Sequence, residues 1–95
     1  MEIVERAMAG TLESGDIMIV IEKGSKGIEI ELTSTVEKQF GDQIRSVIID
    51  TLKSVKIENA KVIANDRGAL DCTIKARTMA ACYRAIKSTD FKWGE

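Results

Sequence analysis

A chain of 95 residues can fill one modest hydrophobic core, so residues 1–95 read as a single domain. Its 15 acidic and 14 basic residues nearly cancel, which leaves no global field to draw it to nucleic acid or an anionic membrane. There is no histidine and few aromatics, so aliphatic side chains must form the core and no imidazole base is on offer near neutral pH.

In the first ten residues, Ile3, Val4, Ala7 and Met8 are spaced for one or two helical turns, or for a mobile arm extending to residue 13. Gly10 ends whatever forms there. Glu2, Glu5 and Arg6 stand where a secretory signal would have a basic cap and an apolar run, and the apolar run at 17–21 is too short to span a bilayer. A cytoplasmic protein is expected. Residues 16–22 form the first strand, with Ile17, Ile19 and Ile21 on one face and Met18 and Val20 on the other. Being apolar on both faces, it reads as a central strand or one covered by a partner. Residues 23–27 form a glycine-containing turn of hairpin length. The next strand, 28–33, points Ile28, Ile30 and Leu32 inward and Glu29 and Glu31 outward. The two strands are expected to pair directly.

Ser34 and Glu37 have capping-box spacing. Val36, Phe40, Ile44, Val47, Ile48, Leu52 and Val55 then recur at helical steps, predicting a helix that ends near residues 54–56. Gly41 lies within it, at a cost of roughly 1 kcal/mol relative to alanine. Residues 57–65 read as a third strand, with Ala60, Val62 and Ala64 sharing a face, and 65–68 as a turn. Residues 69–76 alternate again, Leu70, Cys72, Ile74 and Ala76 against Asp71, Thr73 and Lys75, and read as a fourth strand. Thr78 then caps a last helix carrying Met79, Cys82, Tyr83 and Ile86. A competing reading runs that helix back to Gly68. The expected fold is α+β in the order ββαββα, a four-stranded, mostly antiparallel sheet with both helices on one face. Residues 88–95 lack periodicity and read as a tail, in which Phe91 and Trp93 are free to dock on the domain or a partner.

Autonomous catalysis is improbable on these residues. Besides the missing histidine there is no nucleophile elbow and no phosphate-cradling glycine loop. Glu29 and Glu31 read as a solvated face. An RNA-binding sheet would need strand aromatics, and none is predicted. Cys72 and Cys82 both fall at inward positions and read as reduced, buried thiols, with neither the spacing nor the histidine partners of a zinc site. Met18 and Val20 are apolar and suited to docking, though packing explains them as well. What remains is a carrier or an interaction module. Ser14 is the residue of interest: a hydroxyl beside Gly15, between Glu13 and Asp16, with no base to activate it. Spacing alone makes it an ordinary loop serine.

Three blocks carry a resemblance: Ala9-Gly10-Thr11-Leu12-Glu13-Ser14-Gly15-Asp16, Val36-Glu37-Lys38-Gln39-Phe40-Gly41-Asp42 and Gly68-Ala69-Leu70-Asp71-Cys72. Over most of its length the chain resembles the acyl carrier (gamma) subunit of citrate lyase. The resemblance implies a non-catalytic subunit whose Ser14 carries, through a phosphodiester, a 2'-(5''-phosphoribosyl)-3'-dephospho-CoA group. The thiol of that group would hold acetyl and citryl thioesters. Implied partners are the alpha (acyl transferase) and beta (citryl lyase) subunits and a prosthetic-group transferase, with citrate cleaved to acetate and oxaloacetate. Glu13, Gly15 and Asp16 would flank the attachment point, with the glycine easing entry into another enzyme's pocket and the carboxylates repelling the arm's phosphates. The related carrier of malonate decarboxylase is the alternative within the class, and a scaffold subunit the alternative outside it.

Overall fold

The computed structural model describes residues 2–86. In chain order the elements are β1 (Ala7–Ala9), β2 (Ile17–Glu22), β3 (Ile28–Ser34), α1 (Glu37–Ser54), β4 (Ala60–Asp66) and α2 (Asp71–Ile86). The strands form one sheet in the order β1-β2-β4-β3; β3 and β4 are parallel, and the other two pairings are antiparallel. The expected class therefore holds: α+β, four strands mostly antiparallel, two helices. The order of elements along the chain differs from the expected ββαββα.

Register explains the core. Ile17, Ile19 and Ile21 lie opposite Asp66, Ala64 and Val62, while Ile28, Ile30 and Leu32 lie opposite Ala60, Val62 and Ala64. With side chains alternating along each strand, these residues share one face. On that face α2 lies across β1 and β2, and α1 packs against β3 and α2. Ile44, Ile48 and Leu52 of α1 and Ile74, Ala81, Cys82 and Ala85 of α2 close the core from above. Each isoleucine or leucine buried this way contributes about 1.5–3 kcal/mol.

β2 and β3 do not pair, contrary to the expected hairpin: β4 lies between them. Residues 23–27 must therefore cross two strand spacings, roughly 9–10 Å. Five residues span that easily. Gly24 passes so close to β4 that a Cβ there would come within 2.8 Å of the Ala60 backbone, and the Ala60 N–H donates to Gly27 O at 3.0 Å. Register also sets Lys61 opposite both Glu22 and Glu29, which favours the inserted strand over two adjacent acidic ones. The true hairpin is β1–β2.

The expected strand at 69–76 is instead the start of α2. Its two-residue alternation is incidental, because Ile74, Thr78, Ala81, Cys82 and Ala85 are buried at three- and four-residue steps. The alanine-rich composition also favours helix. The competing reading was the correct one, to within three residues. The fourth strand comes from the N-terminal segment. Ala7–Ala9 pairs with β2, Ile3 is buried, and the Val4 and Glu5 N–H groups both donate to Ala85 O, at 2.9 and 3.1 Å. Much of the expected arm is thus docked. The tail at 88–95, with Phe91 and Trp93, lies outside the described residues.

The capping box does not form. The Ser34 hydroxyl accepts the Val36 N–H at 3.1 Å and donates to Asp66 at 2.8 Å, and the first helical residue is Glu37, whose carboxylate meets Arg45 at 3.3 Å. At the other end the helix stops as expected. The Ile57 and Lys56 N–H groups donate to Leu52 O and Lys53 O, each at 3.0 Å, with Lys56 at φ 63°. This is a Schellman ending with lysine in the place glycine usually takes.

Candidate functional site

The β1–β2 connection, residues 10–16, carries the serine. Gly10 leaves β1 at φ +92°, and a Cβ there would lie 1.8 Å from Ile17 O, so only glycine fits. The Asp16 N–H donates to Glu13 O at 3.0 Å, closing a four-residue turn with Ser14 second and Gly15 third. Gly15 has φ +83° and Ser14 a negative φ, the pattern of a type II turn. The Gly15 N–H donates to Arg67 O at 2.7 Å, and the Arg67 N–H donates to Asp16 O at 2.9 Å. Two residues thus face one across the ladder, a glycine-led β-bulge that continues β2–β4 beyond its last regular pair. Ser14 stands at the exposed corner, and its hydroxyl makes no hydrogen bond among the described residues. No atom comes within 4 Å of a Cβ placed on Gly15, so the approach to the serine is open.

Asp16 holds this turn from below. One carboxylate oxygen accepts the Thr11 N–H (3.1 Å) and hydroxyl (2.7 Å), and the other accepts the Ile17 N–H (2.7 Å). Arg77, reaching over from α2, donates to both oxygens at 3.0 and 3.1 Å. The Arg77 guanidinium, then the Thr11 hydroxyl and the Ile17 amide, hold this carboxyl well below the usual carboxylate range. Near neutral pH it is an anion whose charge is matched by Arg77. The expected repulsion of an arm by both flanking carboxylates therefore narrows to exposed Glu13 alone. Nor can Asp16 serve Ser14 as a base, since both its oxygens are committed. The turn leaves the Ser14 hydroxyl exposed.

A second carboxylate, this one buried, braces the far side. Asp66 accepts the Ser34 hydroxyl at 2.8 Å and the Gly68 and Ala69 N–H groups at 3.1 and 3.0 Å, tying the end of β3 to the turn before α2. Beyond that turn lies an open groove of about 350 Å³, lined in part by Val36, Phe40, Ile44, Ala69, Leu70 and Ile74. Phe40 and Leu70 are 51% and 72% exposed, unusual for such large apolar side chains. Two sequence blocks that look unrelated along the chain, 36–42 and 68–72, meet here.

Other expected features fall elsewhere. Val20 is buried and Met18 half-buried on the sheet face away from the helices, which Met8 and Ile63 share by register. Glu29 and Glu31 are solvated on the β3 edge. Cys82 is buried, as read, and burial pushes its thiol up to about 12; Cys72 is exposed, because it sits on the outer side of a helix rather than in a strand. No cluster of potential metal ligands occurs among the described residues. Arg67 and Arg77 are the supporting residues that sequence reasoning did not assign to the site. Arg77 lies 61 positions from Asp16, and no local pattern announces such a pair.

A small α+β domain with an exposed serine at the corner of a braced turn is the frame against which its relatives are compared. The chain belongs to the acyl carrier protein family that includes the citrate lyase acyl carrier proteins, and residues 4–85 match the family profile described as "ACP: Malonate decarboxylase delta subunit (MdcD)". It is similar to the citrate lyase acyl carrier protein of Lacticaseibacillus casei, 60% identical over 95 residues, covering 100% of this chain and 94% of that one. The Lactobacillus helveticus protein of the same name is 61% identical over 90 residues, covering 95% and 93% of the two chains. Among solved structures, a chain of a Pseudomonas malonate decarboxylase hetero-tetramer in complex with malonate has the same fold. Its TM-score is 0.76 at 17% identity, covering 90% of this chain and 88% of that one.

Proposed function

We propose that this chain is the acyl carrier subunit of citrate lyase and that Ser14 is its point of covalent attachment. The observation carrying the proposal is an exposed, unbonded serine at the corner of a braced turn, in a chain similar to citrate lyase acyl carrier proteins across its whole length. The attached group is 2'-(5''-phosphoribosyl)-3'-dephospho-CoA, joined by a phosphodiester. It supplies a thiol on which acetyl and citryl units are carried.

This chain's residues present and position. Ser14 Oγ enters the transferase pocket, and Gly15 keeps the approach clear. Asp16, Thr11 and Arg77 stiffen the base of the turn, so the group leaves from one place. Catalysis belongs to the partners, the alpha acyl transferase and the beta citryl lyase, within a cytoplasmic complex. Tethering removes any need for tight binding, because a linked group meets each active site at an effective concentration of about millimolar. Residues 1–95 act as one carrier domain.

Intact mass and peptide mapping test this on protein made with its cognate transferase and precursor-synthesis enzymes. The expected result is an adduct of the phosphoribosyl-dephospho-CoA type on the Ser14 peptide, absent from Ser14→Ala. An unmodified chain from a system shown to modify a known carrier returns Ser14 to an ordinary loop residue and favours a scaffold role. The family profile and the malonate decarboxylase fold neighbour favour a second reading, the carrier of malonate decarboxylase. Reconstitution with each enzyme's partner subunits separates the two, since activity should return with the citrate lyase subunits only.

A further inference from the structure

The described arginines are almost all engaged. Arg6 meets Glu22 at 3.2 Å, Arg45 meets Glu37 at 3.3 Å, Arg77 grips Asp16, and Arg84 donates to Met8 O at 2.7 Å. Arg67 is the exception: its guanidinium is exposed and makes no hydrogen bond or ion pair among the described residues. Its backbone, however, is fixed by both bulge hydrogen bonds, to Gly15 and Asp16. That sets the Arg67 Cα across one strand spacing from the residues that follow Ser14, about 5 Å from its ladder partner. The two nearest structural carboxylates cannot claim the side chain. Asp16 is held by Arg77 and Thr11, and Asp66 by Ser34, Gly68 and Ala69. Glu13, exposed on the same turn, is a local competitor.

We propose that Arg67 is an anion subsite that holds the phosphodiester linking the attached group to Ser14. The inference rests on the carrier reading above. A guanidinium offers a planar fork of donors that matches phosphate oxygens, and such charge-assisted bonds are about twice as strong as neutral ones. On the surface a single pair of this kind is weak between free partners. Here the phosphate is tethered beside it, so even weak pairing is populated. The consequence is directional: the arm leaves the turn on the β4 side instead of swinging freely about Ser14.

The test uses the full chain with and without its group, with modification verified first by intact mass. In nitrogen–proton correlation spectra the Arg67 Nε–H signal, identified by its loss in Arg67→Gln, is expected to shift between unmodified and modified wild-type protein while the Arg77 signal stays in place. The phosphorus resonance of the Ser14 phosphodiester is expected to be broader in wild type than in modified Arg67→Gln, with Arg67→Lys between them. Raising the salt should narrow the wild-type line toward that of the glutamine variant. An Arg67 signal identical in the two forms overturns the subsite while leaving the carrier reading intact, and so does equal phosphorus line width in wild type and variant. A mass spectrum without any Ser14 adduct removes the carrier reading and the subsite with it. The comparison of unmodified and modified wild type needs Arg67→Gln only in its unmodified form, for assignment, so it stands even if that variant is poorly modified.

Discussion

Gly10 and Gly15 both adopt left-handed backbone, yet they differ in what a side chain would meet. A methyl at Gly10 collides with the Ile17 carbonyl, whereas a methyl at Gly15 meets open space. Gly10→Ala should therefore cost about 3 kcal/mol or more, combining backbone strain with the collision, and Gly15→Ala only about 1–2 kcal/mol of strain. Thermal melts should separate them, since each kcal/mol moves the midpoint by roughly 4–8 °C in a domain of this size. Asp16 sets a pH dependence. Its carboxyl titrates lower in the folded chain than in the unfolded one, so its stabilising effect is complete above the ordinary carboxylate range and is lost as pH falls through the folded value. Urea melts between about pH 6 and pH 2 should show Asp16→Asn less stable at the upper end and closer to wild type at the lower end. Equal losses across the range would mean that folding does not lower this carboxyl.

Each helix has one end or face where chemistry and conformation can be probed separately. Lys56 ends α1 in left-handed backbone, which penalises any Cβ. Lys56→Gly should stabilise the domain by about 0.5–1 kcal/mol, because relief of strain outweighs the greater freedom glycine gains in the unfolded chain. Chemical denaturation would reveal this as a higher midpoint at unchanged slope. In α2, helical geometry puts Cys72 in solvent and Cys82 in the core. A thiol reagent at neutral pH should titrate one cysteine quickly and the second only on unfolding, as burial keeps Cys82 protonated up to about pH 12. Two fast thiols would mean that residues 71–86 do not form the helix described.

At the scale of the molecule, one hydrophobic layer between a four-stranded sheet and two helices carries the stability, and Ile48 lies fully buried within it. Ile48→Ala should cost about 2–5 kcal/mol, a large share of the roughly 5–15 kcal/mol available to such a domain. The attachment proposed for Ser14 should persist wherever the variant remains folded, because that turn is braced by Asp16, Arg67 and Arg77 and not by α1. Much of this layer was legible along the chain. Ile17, Ile19 and Ile21 announce β2; Ile28, Ile30 and Leu32 announce β3; Ile44, Ile48 and Leu52 announce α1. In each case the side-chain period is a local consequence of backbone geometry. The exposed serine, its glycine neighbour and the flanking carboxylates were equally visible as a loop. Local pattern could not show that β4 slips between β2 and β3, since neighbouring strands are chosen by contacts among distant residues. It could not decide whether 69–76 is strand or helix, because Leu70, Cys72, Ile74 and Ala76 satisfy one period while Ile74, Thr78 and Cys82 satisfy the other. Burial against the sheet settles that choice. Sequence alone therefore determined the serine-bearing loop and most of the core-forming residues. Only the tertiary structure decided that Asp66, Arg67 and Arg77 would meet that loop and its neighbouring turn, because hydrogen bonds and ion pairs across 32 to 61 positions exist only once the chain has closed on itself.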